Sequence, residues 1–246
     1  MKRAAALLLF SMFFSSAALA ARPLGTDDAG TVDKGHFEME MGFEFLEDTD
    51  KEYTTSTVLK YGILDSLDVG TEIPYHYIEV HDQEDVHDLG DITFCAKYRL
   101  LEQDQALPAV SFVAEVKTTS GEEDKGLGNS MIDYGLTLVA TREFDNGAVH
   151  LNLGYGYAGI PEIQKYDRAF SYGLAGELSV TENLNLVAEC LGETNFDGDF
   201  NDNPFVALVG FNYSLCEWAS FDFGAGAGIS KASPDYYLTT GITVAF

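Results

Sequence analysis

From about residue 36 to its end the chain alternates, and this constrains its fold more than any other feature. In the last stretch Tyr236, Leu238, Thr240, Ile242, Val244 and Phe246 are separated by Tyr237, Thr239, Gly241, Thr243 and Ala245. Side chains two apart share one face of a β-strand, so this stretch has one greasy face and one small or polar face. The pattern recurs in about twelve segments of roughly ten residues, near 36–46, 53–64, 67–78, 91–101, 108–118, 130–142, 147–157, 169–181, 184–193, 204–214, 219–229 and 235–246. No sustained helical period interrupts it, and the connections are rich in Asp, Asn, Gly and Glu, which suit turns. The chain is therefore expected to be all-β, without a linker.

The greasy face needs an apolar partner. In the first segment Phe37, Met39, Met41, Phe43 and Phe45 alternate with Glu38, Glu40 and Glu44; in the fourth, Ile92, Phe94, Ala96, Tyr98 and Leu100 alternate with Asp91, Thr93, Cys95, Lys97 and Arg99. Charges in mid-strand fit either a sheet with one wet face or a barrel with a wet lumen. Three features favour the barrel. The connections near 65–66, 102–107, 143–146, 182–183 and 215–218 are mostly short, whereas those near 47–52, 79–90, 119–129, 158–168 and 194–203 are mostly longer, the asymmetry of periplasmic turns and extracellular loops. With strands running alternately up and down, Phe43, Tyr53, Tyr75, Tyr77, Tyr134, Tyr155, Tyr157, Tyr172 and Tyr236 gather near the long loops. Phe37, Tyr61, Tyr98, Tyr213, Phe221 and Phe246 gather near the short turns, with Leu59, Ile73, Leu136, Leu151, Leu174 and Ile242 between. Finally, ten tilted residues span about 25 Å, the height of an outer membrane apolar band. The expectation is an antiparallel up-and-down transmembrane β-barrel of about 12 strands in the cell outer membrane, facing lipid, with closure removing every unpaired edge. A soluble β-sandwich or small ligand-binding barrel is the alternative.

Residues 1–20, MKRAAALLLFSMFFSSAALA, combine a basic start, a short apolar run and a small-x-small end, and read as a signal peptide preceding a single barrel domain over 21–246. With Lys2 and Arg3 gone, 12 bases stand against 40 acids, a net charge of −28. Such acidity excludes nucleic acid as a partner, because phosphates would be repelled. Cys95, Cys190 and Cys216 are odd in number and far apart, which suggests neither a disulfide framework nor a zinc site; each reads as a buried structural thiol.

A terminal strand that alternates and ends in Phe resembles the assembly signal of bacterial outer membrane barrels, which implies the barrel assembly machinery as a partner. ARPLGTDDAGTVDKGHFEMEMGFEF at 21–45, YGILDSLDVGTEIPY at 61–75, GDITFCAKYRLL at 90–101 and PAVSFVAEVKTTSG at 108–121 are similar to the outer membrane family labelled MetA-pathway of phenol degradation. The resemblance covers the mature chain. It implies a transporter β-barrel that passes small, aromatic or hydrophobic molecules, and it carries over no catalytic residues. Cys95 departs from the small apolar residue expected there, a matter of packing.

The inward-facing charges are the candidate site. The register places Lys60, Lys97, Arg99 and Lys117 inward on the second, fourth and fifth segments, and Glu38, Glu40, Glu44, Glu72, Asp91, Glu115, Asp133, Glu177, Glu189 and Asp222 around the rest of the wall. Opposed basic and acidic walls can orient a solute in a constriction; equally, they can pair and fill a narrow barrel. Inward Gly135, Gly154, Gly156, Gly173, Gly224, Gly226 and Gly228 would leave space on one side and favour a pore. No cofactor or metal is expected. Asp197, Asp199 and Asp202 lack the spacing of a calcium loop, and His81, Asp82, Asp85 and His87 form no specific motif. None of the five histidines, His36, His76, His81, His87 and His150, sits beside a Ser or Cys nucleophile motif, so an enzyme is not expected. The function expected is a channel for passive or facilitated diffusion of a small molecule; the alternative is a closed structural or adhesive barrel without transport.

Overall fold

The computed structural model describes residues 22–81, 84–160, 165–194 and 202–246. The expected signal peptide lies outside the described residues. Thirteen strands form: β1 (Phe37–Glu47), β2 (Lys51–Leu64), β3 (Leu67–Glu79), β4 (Val86–Leu89), β5 (Thr93–Leu101), β6 (Ala109–Lys117), β7 (Asp133–Phe144), β8 (Gly147–Ile160), β9 (Lys165–Thr181), β10 (Leu184–Thr194), β11 (Phe205–Cys216), β12 (Ala219–Gly228) and β13 (Tyr236–Ala245). All but β4 are staves of one antiparallel ring. Sequential neighbours pair, β3 pairs β5, and β1 closes the ring on β13 with Glu38 opposite Ala245 and Glu47 opposite Tyr236. No helix among the described residues is long and apolar enough to cross a membrane; the crossing elements are strands.

Two connections differ from expectation. The stretch 79–90 was expected to be all loop, yet β4 lies within it. The reason is edge pairing: β5 covers β3 only from Leu67 to Glu72, so Tyr75–Ile78 would keep an open edge, and β4 pairs with it. At its tip Lys125 donates to Asp88 at 2.6 Å; that bond, with a second from the Leu89 N–H, holds the Asp88 carboxyl below the usual carboxylate range. Between β8 and β9 a loop over 158–168 was expected, but the ladder continues to Ile160 opposite Lys165.

Alternation does what the sequence requires. Leu59, Ile73, Leu136, Leu151, Leu174 and Ile242 are 40–56% exposed on the outer face, with no protein to cover them. A contiguous apolar belt of this kind has lipid as its solvent. The outer aromatics meet across the seams: Phe37 lies 4.6 Å from Tyr61 and 5.8 Å from Phe246 near the short turns, and Tyr53 lies 5.8 Å from Tyr77 near the loops. The thiols correct one expectation. Only Cys95 is half-buried, while Cys190 and Cys216 are exposed, Cys190 on the outer, lipid-facing side.

No strand signal precedes β1, and that segment holds the main surprise. At Gly35 the backbone adopts φ 83°, a left-handed conformation that favours glycine. There the chain turns, and residues 22–34 run back inside the barrel. A single bridge, Lys34 to Gly62, is the segment's own pairing with the wall.

Candidate functional site: a threaded lumen

The inward positions of the strands meet this segment one by one. Val32 N–H donates to Asp68 of β3 at 2.9 Å. Ser111 of β6 donates to the Ala29 carbonyl at 2.6 Å, and Ala29 N–H donates to Thr141 Oγ1 of β7 at 2.8 Å. Lys97 of β5 reaches Asp27 at 2.7 Å and donates to the Asp28 carbonyl at 3.0 Å. On β8 the Asn152 amide lies against the Asp27 backbone, and with its nitrogen turned to the Asp27 carbonyl it donates there at 2.9 Å and accepts the Asp27 N–H at 2.6 Å. Glu189 of β10 accepts from the N–H groups of Gly25 and Thr26 at 2.8 Å each. Last, Arg22 pairs with Asp222 of β12 at 3.3 Å and donates to Thr239 of β13 at 2.7 Å. Gly42 and Gly241 make its seat: a Cβ on either would collide with the guanidinium.

The segment also has two apolar anchors. Leu24 packs with Leu46, Ala175, Val187, Val206, Leu208 and Tyr237, and Ala29 packs with Val113 and Val139. Inward glycines were expected to leave space for a pore; the space is taken. A Cβ on Gly173 would lie 2.7 Å from the Thr26 hydroxyl, and one on Gly226 would strike the Tyr237 ring. Between the segment and the wall lies a cavity of about 290 Å³, lined by Arg22, Asp28, Val32, Glu38, Lys60 and Asp68 among others.

The expected site residues separate into three groups. Most are paired: Lys60 with Glu38 at 3.0 Å and Glu40 at 2.5 Å, Lys117 with Asp133 at 2.7 Å, His150 with Glu177 at 3.4 Å, and Lys97 and Glu189 with the segment. Arg99 stands apart at the short-turn end, donating to the Asp65 carbonyl at 2.8 Å and lying 3.6 Å from Glu102. Glu44, Glu72 and Glu115 point inward on β1, β3 and β6 with no base paired to them, and Glu72 Oε2 is buried without a hydrogen-bond partner. Sequence reasoning missed Arg22, Asp27 and Asp68. The signal available for Asp27 was the run GTDDAGTVDKG, too small and polar for a strand, which reads as a linker unless the lumen is considered as its destination.

Among the described residues no three His, Cys, Asp or Glu side chains converge as metal ligands. Most of the Asp197–Asp202 run lies outside the described residues, as does Asp82.

A closed ring of twelve staves with a lipid-facing belt and a polar, threaded lumen is an outer membrane β-barrel of the porin-like class, and the protein resides in the cell outer membrane. Solved structures share the fold. The COG4313 outer membrane channel from Pseudomonas putida F1 is 14% identical, with a TM-score of 0.71 over 89% of this chain and 98% of that one. The KdgM porin, solved also in complex with disordered oligogalacturonate, is 9% identical with a TM-score of 0.60 over 85% and 99% of the two chains. The NanC porin is 8% identical with a TM-score of 0.61 over 85% and 98%. No curated protein matches the sequence. Residues 20–246 match the family described as "Putative MetA-pathway of phenol degradation", and the chain belongs to that family.

Proposed function

We propose that this barrel is a channel through which a small, aromatic or hydrophobic molecule crosses the outer membrane by passive or facilitated diffusion. One observation carries the reading: a thread that belongs to no strand occupies the lumen beside the wall's own side chains. Residues 22–33 share no strand ladder with the barrel and are held mainly through side chains, with Asp27, Glu189 and Asp222 among the holdfasts. Polar contacts of this kind exchange with water at modest net cost, so the occupant is displaceable while the wall stays intact.

The solute class follows from the family description and from charge. KdgM is known in complex with oligogalacturonate, a polyanion; here the unpaired carboxylates of Glu44, Glu72 and Glu115 would repel one. A catalytic role has little support. Thr141, His150 and Glu177 do stand in line at 3.0 and 3.4 Å, yet the Thr141 hydroxyl already accepts the Ala29 N–H, so the order of a nucleophile, base and acid serves to hold the segment. Cleavage of the leader after Ala20 and delivery of the terminal strand to the barrel assembly machinery complete the proposal.

Purified protein in planar bilayers should give discrete conductance steps. If neither the native protein nor a variant with a weakened segment, Asp27→Asn, conducts, the closed structural or adhesive barrel is the correct reading.

A further inference from the structure

The internal segment follows the inner circumference of the ring. Val32 is bonded to β3, Ala29 to β6 and β7, Gly25 and Thr26 to β10, and Arg22 to β12 and β13. Taken in ring order, these contacts leave β1 and β2 as the sector between the segment's two ends. The cavity of about 290 Å³ lies against that sector. Glu38 and Glu40 of β1 and Lys60 of β2 line it from the wall, with Asp68 of β3 beside them, while Arg22 and Asp28 line it from the segment. It is about twice the size of an apolar cavity of roughly 150 Å³ that holds one benzene molecule, but its lining is charged.

Every base on this lining is already engaged. Arg22 faces Asp222 at 3.3 Å, Lys97 faces Asp27 at 2.7 Å, and Lys60 is one charge shared by Glu38 at 3.0 Å and Glu40 at 2.5 Å. The acids are not matched in return. Among the described residues, the carboxylates of Asp28 and Asp68 accept only the N–H groups of Gly30 and Val32. Glu40 is 2% exposed, and its Oε2 has no hydrogen-bond partner. A buried carboxylate oxygen without a donor is uncommon and costly, so what the cavity lacks is positive charge and N–H donors. An anion placed there would meet Asp28, Glu38, Glu40 and Asp68. A bare metal ion is also a poor fit, since no three His, Cys, Asp or Glu side chains converge as ligands among the described residues.

We propose that this cavity binds a small organic cation with several N–H donors, a guanidinium or a primary ammonium, held between Glu40 and Asp68 of the wall and Asp28 of the segment. Because one ligand touches both wall and segment, its binding stabilises the segment in its place. The inference goes beyond the channel reading, and the site stands whether or not the barrel conducts.

Three methylated probes separate charge from hydrogen bonding: methylguanidinium, its neutral near-isostere N-methylurea, and tetramethylammonium, which is charged but has no N–H group. Each is titrated at pH 7 into the folded mature protein in detergent and followed by saturation-transfer NMR of its methyl signal. Methylguanidinium should bind at least about tenfold more tightly than either of the others, the size of one hydrogen bond to a charged group. Glu40→Gln combined with Asp68→Asn should bring it down to the level of N-methylurea, and Asp28→Asn alone should weaken it about tenfold, with N-methylurea unmoved throughout. Unheated gel mobility confirms folding, and Asp28 belongs to no strand, so its variant remains a test should the double variant not fold. Equal affinity for the three probes, no binding of any, or a methylguanidinium affinity unmoved by either variant overturns the site. In planar bilayers, methylguanidinium should lower the open fraction of the native protein. Binding without that loss in a conducting barrel overturns the stabilisation of the segment, whereas binding to a barrel that never conducts defeats the channel reading alone.

Discussion

Replacing Asp27 by Asn tests whether the internal segment is held as the contacts imply. Asp27 and Lys97 are 2.7 Å apart, with side chains 9% and 8% exposed. Removing one partner of a buried pair typically costs about 3–5 kcal/mol, because the other charge is left without compensation. Here the loss is smaller. Lys97 keeps the Asp28 carbonyl at 3.0 Å and borders the cavity of about 290 Å³, which has room for water. About 1.5–3 kcal/mol is a reasonable expectation, which moves the seated-to-released equilibrium roughly tenfold to a hundredfold. Single-channel recording should show the high-conductance fraction rising by that factor. Because Asp27 belongs to no strand, barrel folding, read as unheated gel mobility, should be unchanged. Adding Lys97→Met removes the stranded charge and should recover part of the occupancy. Conductance in Asp27→Asn indistinguishable from that of the native protein would refute the pair as a holdfast.

Leu151→Arg and Asn152→Arg should fail differently. The first puts a cation in the lipid belt at about 2–4 kcal/mol and should reduce folded barrel, whereas the second should fold but conduct more, since Asn152 grips the Asp27 backbone. Phe246→Asp should lower outer membrane yield in cells, because Phe246 stacks on Phe37 and exchanges backbone hydrogen bonds with it at the closing seam; normal yield would remove the C-terminal strand from the assembly proposal. Reversal potentials should show cation preference that persists in high salt and falls in Glu44→Gln, Glu72→Gln and Glu115→Gln together. Loop acids such as Glu84 and Asp85 should matter only in dilute salt, where charges beyond about 8–10 Å are not yet screened. Anion preference in the native protein would put the lysines in control. Mass spectrometry of the mature protein should find Ala21 at its start.

Period-two alternation is a backbone property that reads directly from sequence, which is why the staves, the inward set from Glu38 to Asp222 and the lipid face from Leu59 to Ile242 were legible. Partner choice was not. Lys97 was visible as an inward base, but its counter-charge Asp27 lies 70 positions away in a segment with no period at all. Nor could pattern alone show that Glu189, an ordinary inward carboxylate, would cap two backbone N–H groups. The β4 strand was hidden for a different reason: four residues are too few for a periodic signal, and it exists because β5 leaves the upper edge of β3 uncovered.

Arg22 comes first in the described chain, yet its partners Asp222 and Thr239 lie 200 and 217 residues later. Synthesis and anchoring therefore run in opposite orders for this residue. While Val32 can find Asp68 as soon as β3 exists, the far tip of the thread must wait, untied, until nearly all of the polypeptide has been made. Its fastening records that the circle of strands has been completed, so a barrel stalled short of β12 would carry a loose end where a finished one carries a latch.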